Sequence, residues 1–148
     1  MKIRTATSED IHELMELERA SHTAAHWTLR QYRDLFEAQP AMLVLAGVAE
    51  DGGMLGFLVA RHVAGEWELE NIIVSTTERR KGVGTRLIQS LVEAARQEAA
   101  KSIFLEVRES NETARRFYEE TGFRQNGVRK QYYVGPAENA ILYELELK

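Results

Sequence analysis

Apolar residues follow two periods along this chain, and the switches between them mark out the elements. IRTA (3–6) reads as a short strand. Thr7 or Ser8 then caps a helix that runs to about residue 21, with Ile11, Leu14, Met15 and Leu17 near one face. Thr28 and Gln31 form a T-x-x-Q capping box, which starts a second helix. Its apolar side is Leu29, Tyr32, Leu35 and Phe36, and Pro40 ends it. Between 41 and 75 the texture becomes strand-like: MLVLAGVA, MLGFLVARHV and WELENIIV. Asp51-Gly52-Gly53 and Ala64-Gly65-Glu66 separate these runs as hairpin signals, so the stretch predicts an antiparallel meander.

A long helix comes next, with Val83, Leu87, Ile88, Leu91, Val92, Ala95 and Ala99 on its buried face. SIFLEV (102–107) is apolar on both faces but for Glu106, the pattern of a strand inside a sheet. Ser110 or Asn111 caps the next helix, whose stripe is Ala114, Phe117, Tyr118 and Thr121, and Gly122 stops it. Two last strands, near 123–133 and 139–147, flank the GPAEN turn. The order β-α-α-β-β-β-α-β-α-β-β predicts an α/β chain with a central mixed sheet and helices on both faces. The last meander strand, the long helix and SIFLEV form a βαβ unit, expected to be right-handed with its two strands parallel. Ligands in such sheets collect at the carboxyl ends of strands, where helices begin.

Bulk properties narrow the function. The 148 residues amount to one domain, 1–148, with no internal repeat or linker. A net charge of −4 argues against non-specific nucleic-acid binding. There is no cysteine, which removes disulfides, thiolate metal sites and a cysteine nucleophile together. MKIRTATSED has no apolar signal region, and the longest apolar run, 41–49, is too short to span a bilayer. A cytoplasmic protein without membrane association is expected. His12, His22, His26 and His62 lack metal-ligand spacing, so no metal is expected, and His22 and His26 read as surface or acceptor-site residues.

One stretch departs from the acidic background: RRKGVG (79–84), three cations and two glycines at the start of the long helix. A helix N-terminus leaves about four N–H groups unpaired and carries roughly half a positive charge. Glycines let that backbone approach a ligand, and the cations add full charges, so the combination suits phosphate. A solvated charge run or a plain tight turn would look the same. A nucleotide P-loop is absent, and no third glycine stands at dinucleotide spacing.

After a strand ending Ile72-Ile73-Val74, the pattern Arg79-x-x-Gly82-x-Gly84 resembles the acyl-CoA pyrophosphate loop of the GNAT superfamily of N-acetyltransferases, Q/R-x-x-G-x-G/A. Residues 111–123, NETARRFYEETGF, resemble that superfamily's second signature, N-x-x-A-x-x-F/L-Y-x-x-x-G-F. The element order resembles the GNAT fold from end to end. LEVRESN (105–111), RKQYY (129–133) and AAHWTLRQY (24–32) are similar to the bacterial ribosomal-protein-alanine N-acetyltransferases, which acetylate a protein's α-amine. The chain departs from them in having His26 before Trp27, where proline is frequent, and Gln131, where asparagine is frequent. Both regions belong to the acceptor side.

The resemblance implies acetyl-CoA as co-substrate. Arg79, Arg80, Lys81, Gly82, Val83, Gly84 and Thr85 would hold its pyrophosphate. Ile72, Ile73 and Val74 would line the pantetheine arm, with a backbone N–H near Ile73 or Val74 facing the oxyanion. Asn111 would add a cofactor contact or serve only as a helix cap. An α-amine (pKa about 8) and a lysine (about 10.4) are mostly protonated at neutral pH, so the acceptor needs a general base. Glu106 falls on the family's catalytic glutamate. A carboxylate among apolar neighbours is costly without a task or a partner, and burial would raise its pKa. An ion pair with Arg108 or Arg124 is the alternative. Tyr118 matches the family's acid, facing the sulfur, although Phe117-Tyr118 also fits a core stripe. Trp27, Glu70, Asn71, Tyr132 and Tyr133 are the acceptor-side candidates, with packing an equal reading for the aromatics. Direct attack in a ternary complex is expected, a serine acyl-enzyme being the other route.

The expected acceptor is a protein or peptide N-terminus, such as that of a ribosomal protein, with the enzyme a monomer or homodimer. A small amine (polyamine, amino acid or antibiotic) is the alternative acceptor. A non-catalytic acyl-CoA sensor is the alternative class.

Overall fold

The computed structural model describes residues 1–21, 26–38 and 41–147. Its strands are β1 (Lys2–Thr5), β2 (Met42–Val48), β3 (Met54–Val63), β4 (Glu66–Val74), β5 (Ser102–Arg108), β6 (Arg124–Tyr133) and β7 (Glu138–Glu146). Its helices are α1 (Ile11–Arg19), α2 (Leu29–Glu37), α3 (Val83–Gln97) and α4 (Glu112–Glu120). The expected element order is therefore present. Pro40, the expected helix stop, and His22 lie outside the described residues.

Local chemistry explains most boundaries. Thr7 opens a short 3-10 turn, Ser8–Asp10, and the Asp10 carboxylate accepts the Thr7 N–H at 2.8 Å. Both Asp10 oxygens also take Arg4 N–H bonds at 2.8 Å, and this pairing holds the Asp10 carboxyl below the usual carboxylate range. Helix α1 starts only after that turn and ends at Arg19, two residues before the expected end. The Thr28–Gln31 capping box is present in both directions, at 2.7 and 3.2 Å. Leu29 is a correction, since it is 42% exposed at the first helical position rather than part of the buried side. Ala99 is another, because α3 stops at Gln97 and Ala99 is an exposed residue at φ 56°.

The sheet order is β1-β2-β3-β4-β5-β7-β6. The meander is antiparallel as expected, β4 and β5 are parallel, and β5 is an internal strand. Helices α3 and α4 cover one face, burying Leu87, Leu91, Ile103 and Tyr143. Helices α1 and α2 cover the other, burying Leu14, Tyr32, Phe57 and Val59.

Strand β4 is irregular in two respects. Ala60 pairs with Leu69 while Val59 pairs with Asn71, so Glu70 is an extra, bulged residue. Before the bulge Trp67 and Leu69 face α3; after it Ile72 and Val74 do, and Ile73 faces α1 and α2. Second, β4 pairs with β5 only at Trp67–Ile103 and Glu68–Phe104. Beyond those pairs the two parallel strands part, and the β4 edge facing β5 is open over Glu70–Val74.

Candidate active site

The chain leaves β4 at Val74, makes a 3-10 turn (Thr76–Glu78) and enters α3 through a tight loop. Arg80 and Gly82 both adopt left-handed backbone, φ 66° and 87°. Such alternation turns successive N–H groups into one concavity. Gly82 is the N-cap and no side chain caps α3. The first helical bond runs from the Arg86 N–H to the Gly82 carbonyl, so the N–H groups of Val83, Gly84 and Thr85 precede the intrahelical ladder. Lys81 is tied to Glu78 at 3.2 Å, and the Arg79 Nε donates a long bond, 3.5 Å, to the Val74 carbonyl. The donors, the helix dipole and the cations fit a diphosphate, and the open β4 edge fits an extended arm with amide groups.

The two glycines serve different ends. A Cβ on Gly82 would meet nothing within 4 Å, so Gly82 is needed for its φ alone. A Cβ on Gly84 would lie 3.0 Å from the Phe117 ring. Gly84 therefore also lets α3 and α4 pack, a role beyond the ligand approach expected of both glycines. Val83 and Ile73 are each 3% exposed, so only their backbone faces a ligand. Asn111 is the cap of α4, its Oδ1 accepting the Ala114 N–H at 3.2 Å.

Glu106 lies on β5 with its side chain on the α1/α2 side, because Ile103, Leu105 and Val107 face α3. Its expected burial is not found: the side chain is 26% exposed. Nor is its partner Arg108 or Arg124. Arg129 of β6 reaches Glu106 at 3.4 Å, whereas Arg108 pairs with Glu138 at 3.3 Å. The reason is topological. Strand β7 lies between β5 and β6, and its register brings Arg108 and Arg129 both opposite Ala140.

Tyr118 comes from the other face, buried on α4 against Phe117, Phe123 and Tyr143. Burial pushes its phenol well above the usual value, and the neighbouring Tyr133 adds to this. Tyr133 is raised too, first by burial and then by the nearby Glu106 charge. Tyr133 thus sits within electrostatic reach of both Glu106 and Tyr118. Tyr132 is 49% exposed and meets Tyr133 edge-on at 5.2 Å.

The other acceptor-side candidates are placed as follows. Glu70, the bulged residue, pairs with Arg61 at 3.3 Å. Asn71 keeps a buried Nδ2 with no hydrogen-bond partner among the described residues. Trp27 packs on Tyr32 at 5.5 Å. Its position is set by Glu18, a buried carboxylate that accepts the Trp27 N–H at 2.8 Å and the Tyr32 hydroxyl at 2.9 Å.

Sequence reasoning missed Glu18, Glu68 and Arg129. Glu68 is in register with Phe104, on the Glu106 side of the sheet. Burial raises its carboxyl pKa, and the charges of Glu70 and Glu106 raise it further. The alternation Glu66-x-Glu68-x-Glu70 could have marked that face as one the helices leave open. Among the described residues no group of three or more His, Cys, Asp or Glu side chains is placed to hold a metal ion. Among them, too, no helix is long and apolar enough to cross a membrane.

This arrangement has close relatives. The ribosomal protein bS18-alanine N-acetyltransferase of Haemophilus influenzae is 31% identical over 136 residues, 90% of each chain. That of Haemophilus ducreyi is 28% identical over 148 residues, 98% of this chain and 99% of its own. The crystal structure of the Escherichia coli ribosomal-protein-S18-alanine N-acetyltransferase superposes with a TM-score of 0.87 at 26% identity, covering 99% of this chain and 94% of that one. Residues 11–123 match the model of the acetyltransferase (GNAT) family. The chain is an N-acetyltransferase and belongs to the GNAT family.

Proposed function

We propose that this enzyme transfers an acetyl group from acetyl-CoA to the α-amine of a protein N-terminus, of the ribosomal-protein-alanine type, in the cytoplasm. The observation that carries the reading is the parting of β4 from β5 beyond Glu68 and Phe104, with Glu106 on one face of the sheet and Tyr118 against the other. An amine entering from the Glu106 side and a thioester held along β4 would meet in that gap. The similarity to bS18-alanine acetyltransferases along nearly the whole chain supports a protein α-amine as acceptor.

In this reading the loop 79–85 binds the diphosphate through its N–H groups and cations, and Ile72–Val74 offer open backbone along the arm. Bound acetyl-CoA supplies the acyl thioester. Glu106 takes the ammonium proton, directly or through water, and a β4 N–H near Ile73 or Val74 faces the carbonyl oxygen. Tyr118 gives its proton to the departing sulfur. Its raised pKa keeps the phenol protonated throughout the neutral range. It also makes donation harder than for a free phenol of pKa about 10, but a thiolate formed in the same buried space is raised by the same desolvation.

Thiol release from acetyl-CoA tests this, with two acceptor peptides. One has a free N-terminal alanine; the other has a blocked N-terminus and an internal lysine. Turnover on the first alone is the expected result. Silence on both, with turnover on a polyamine or amino acid, would replace the acceptor. Silence on all amines with acetyl-CoA still bound would leave a sensor.

A further inference from the structure

Arg108 ends β5 and reaches across to the β6–β7 hairpin. One of its Nη atoms donates to the Pro136 carbonyl and to Glu138 Oε2, both at 3.3 Å. Its guanidinium carbon lies 4.3 Å from the centroid of the Tyr133 ring. Glu138 is itself fixed by the Ser110 N–H at 3.0 Å and the Ser110 hydroxyl at 2.9 Å. These contacts stand where the ordinary ladder fails. Between Arg129 and Tyr133 the β6–β7 register slips, and Gln131 takes left-handed backbone there, φ 51°. Only Tyr133–Glu138 pairs beyond the slip. The hairpin is therefore tied to the β5–α4 turn by these side chains beside one backbone bond, from the Glu109 N–H to the Asn139 carbonyl at 3.1 Å.

We infer that Arg108 is a positioning residue: it clamps the hairpin and holds the Tyr133 ring as the wall of the acceptor site beside Glu106. This rests on the reading of Glu106 as the face the amine enters. The geometry gives the clamp its specificity. A guanidinium can stack on a ring and still direct N–H bonds outward in its plane, which an ammonium cannot. Tyr133 is half-buried, and a ring so placed contacts the segment that carries the amine. In the same reading the acyl donor lies along the loop 79–85 and the β4 edge, apart from the hairpin. Arg108 should therefore act on one substrate alone.

Steady-state kinetics on the wild type, Arg108→Met and Arg108→Lys test this with the N-terminal-alanine peptide. The expected result for Arg108→Met is an acceptor KM higher by about tenfold, with kcat and the acetyl-CoA KM within about twofold. Arg108→Lys should fall between, since it keeps the charge and loses the fork. In a Tyr133→Leu background Arg108→Met should add nothing to the acceptor KM. Amide hydrogen exchange of residues 131–138 is the independent readout, expected to quicken in Arg108→Met while α3 stays protected. A rise in the acetyl-CoA KM, additive effects with Tyr133→Leu, or unchanged exchange would each overturn the clamp. Should the wild type acetylate neither peptide, the α-amine reading falls, and the exchange measurement alone decides the clamp.

Discussion

Seven consecutive residues, Arg79 to Thr85, make the loop at the start of α3, whereas the site around Glu106 draws on five separate segments. Those segments are Trp27 before α2, Glu68–Asn71 on β4, Glu106 and Arg108 on β5, Tyr118 on α4, and Arg129–Tyr133 on β6. In the proposed reading the loop acts chiefly through backbone: it has two left-handed residues and uncapped N–H groups, with its cations exposed and Lys81 shared with Glu78. The Glu106 site acts through side chains held by further side chains. A backbone device should be sensitive to conformation and tolerant of single charge changes. A side-chain device should fail at single atoms.

The largest expected effect tests the second half of that contrast. Glu106→Gln should lower kcat/KM for the peptide by about 10²–10⁴, the range of a lost general base, and leave the acetyl-CoA KM alone. A loss below tenfold in pre-steady-state acetyl transfer would remove Glu106 from the chemistry. Glu18→Ala comes next. It strands the Trp27 N–H and the Tyr32 hydroxyl, which should cost about 1–3 kcal/mol in urea unfolding and raise the acceptor KM through Trp27. A variant of wild-type stability would break the account of how that site is built.

The loop predicts the reverse pattern. Gly82→Ala meets no neighbour, so its cost, about 1–2 kcal/mol of left-handed strain, comes from φ alone. The acetyl-CoA KM should rise more in Gly82→Ala than in Lys81→Ala. If the lysine variant were the worse of the two, the loop would be a side-chain site after all. The smallest effect belongs to Gln131→Gly. It relieves about 1–2 kcal/mol of strain and loses about 0.5–1 kcal/mol to glycine's freedom when unfolded, for a net gain of roughly 0.5–1 kcal/mol in thermal or urea melts.

The same division governs what could be read from the sequence. Capping boxes, apolar stripes and turn glycines act within a few residues, so Thr28–Gln31, the α3 stripe from Val83 to Ala95 and the stop at Gly122 were legible. The loop 79–85 was legible for the same reason. The partner of Glu106 was not. Arg129 lies 23 positions further on, and its approach depends on β7 inserting between β5 and β6 and on the slip at Asn126. Nor was the burial of Glu106 readable from its apolar neighbours in sequence, because Leu105 and Val107 turn to the opposite face. Glu18 looked like any solvent-facing position of α1. Only the return of Trp27 and Tyr32 over it makes it a buried acceptor.

The bulge at Glu70 sets a limit on how this chain can vary in length. With one residue more than β3 across from it, β4 serves the α3 layer through Trp67 and Leu69, then through Ile72 and Val74. At its present length but without the bulge, β4 would exchange the destinations of everything after Leu69. Ile73 would be thrown toward α3, and Ile72 and Val74 toward α1 and α2. Loss of Glu70 outright would instead leave a plain strand with those three residues on their present faces, whereas one inserted residue without a second bulge would be a change of phase. Lineages of this enzyme should therefore tolerate indels in the hairpins at 51–53 and 64–65 and, across the bulge, lose a residue more readily than gain one.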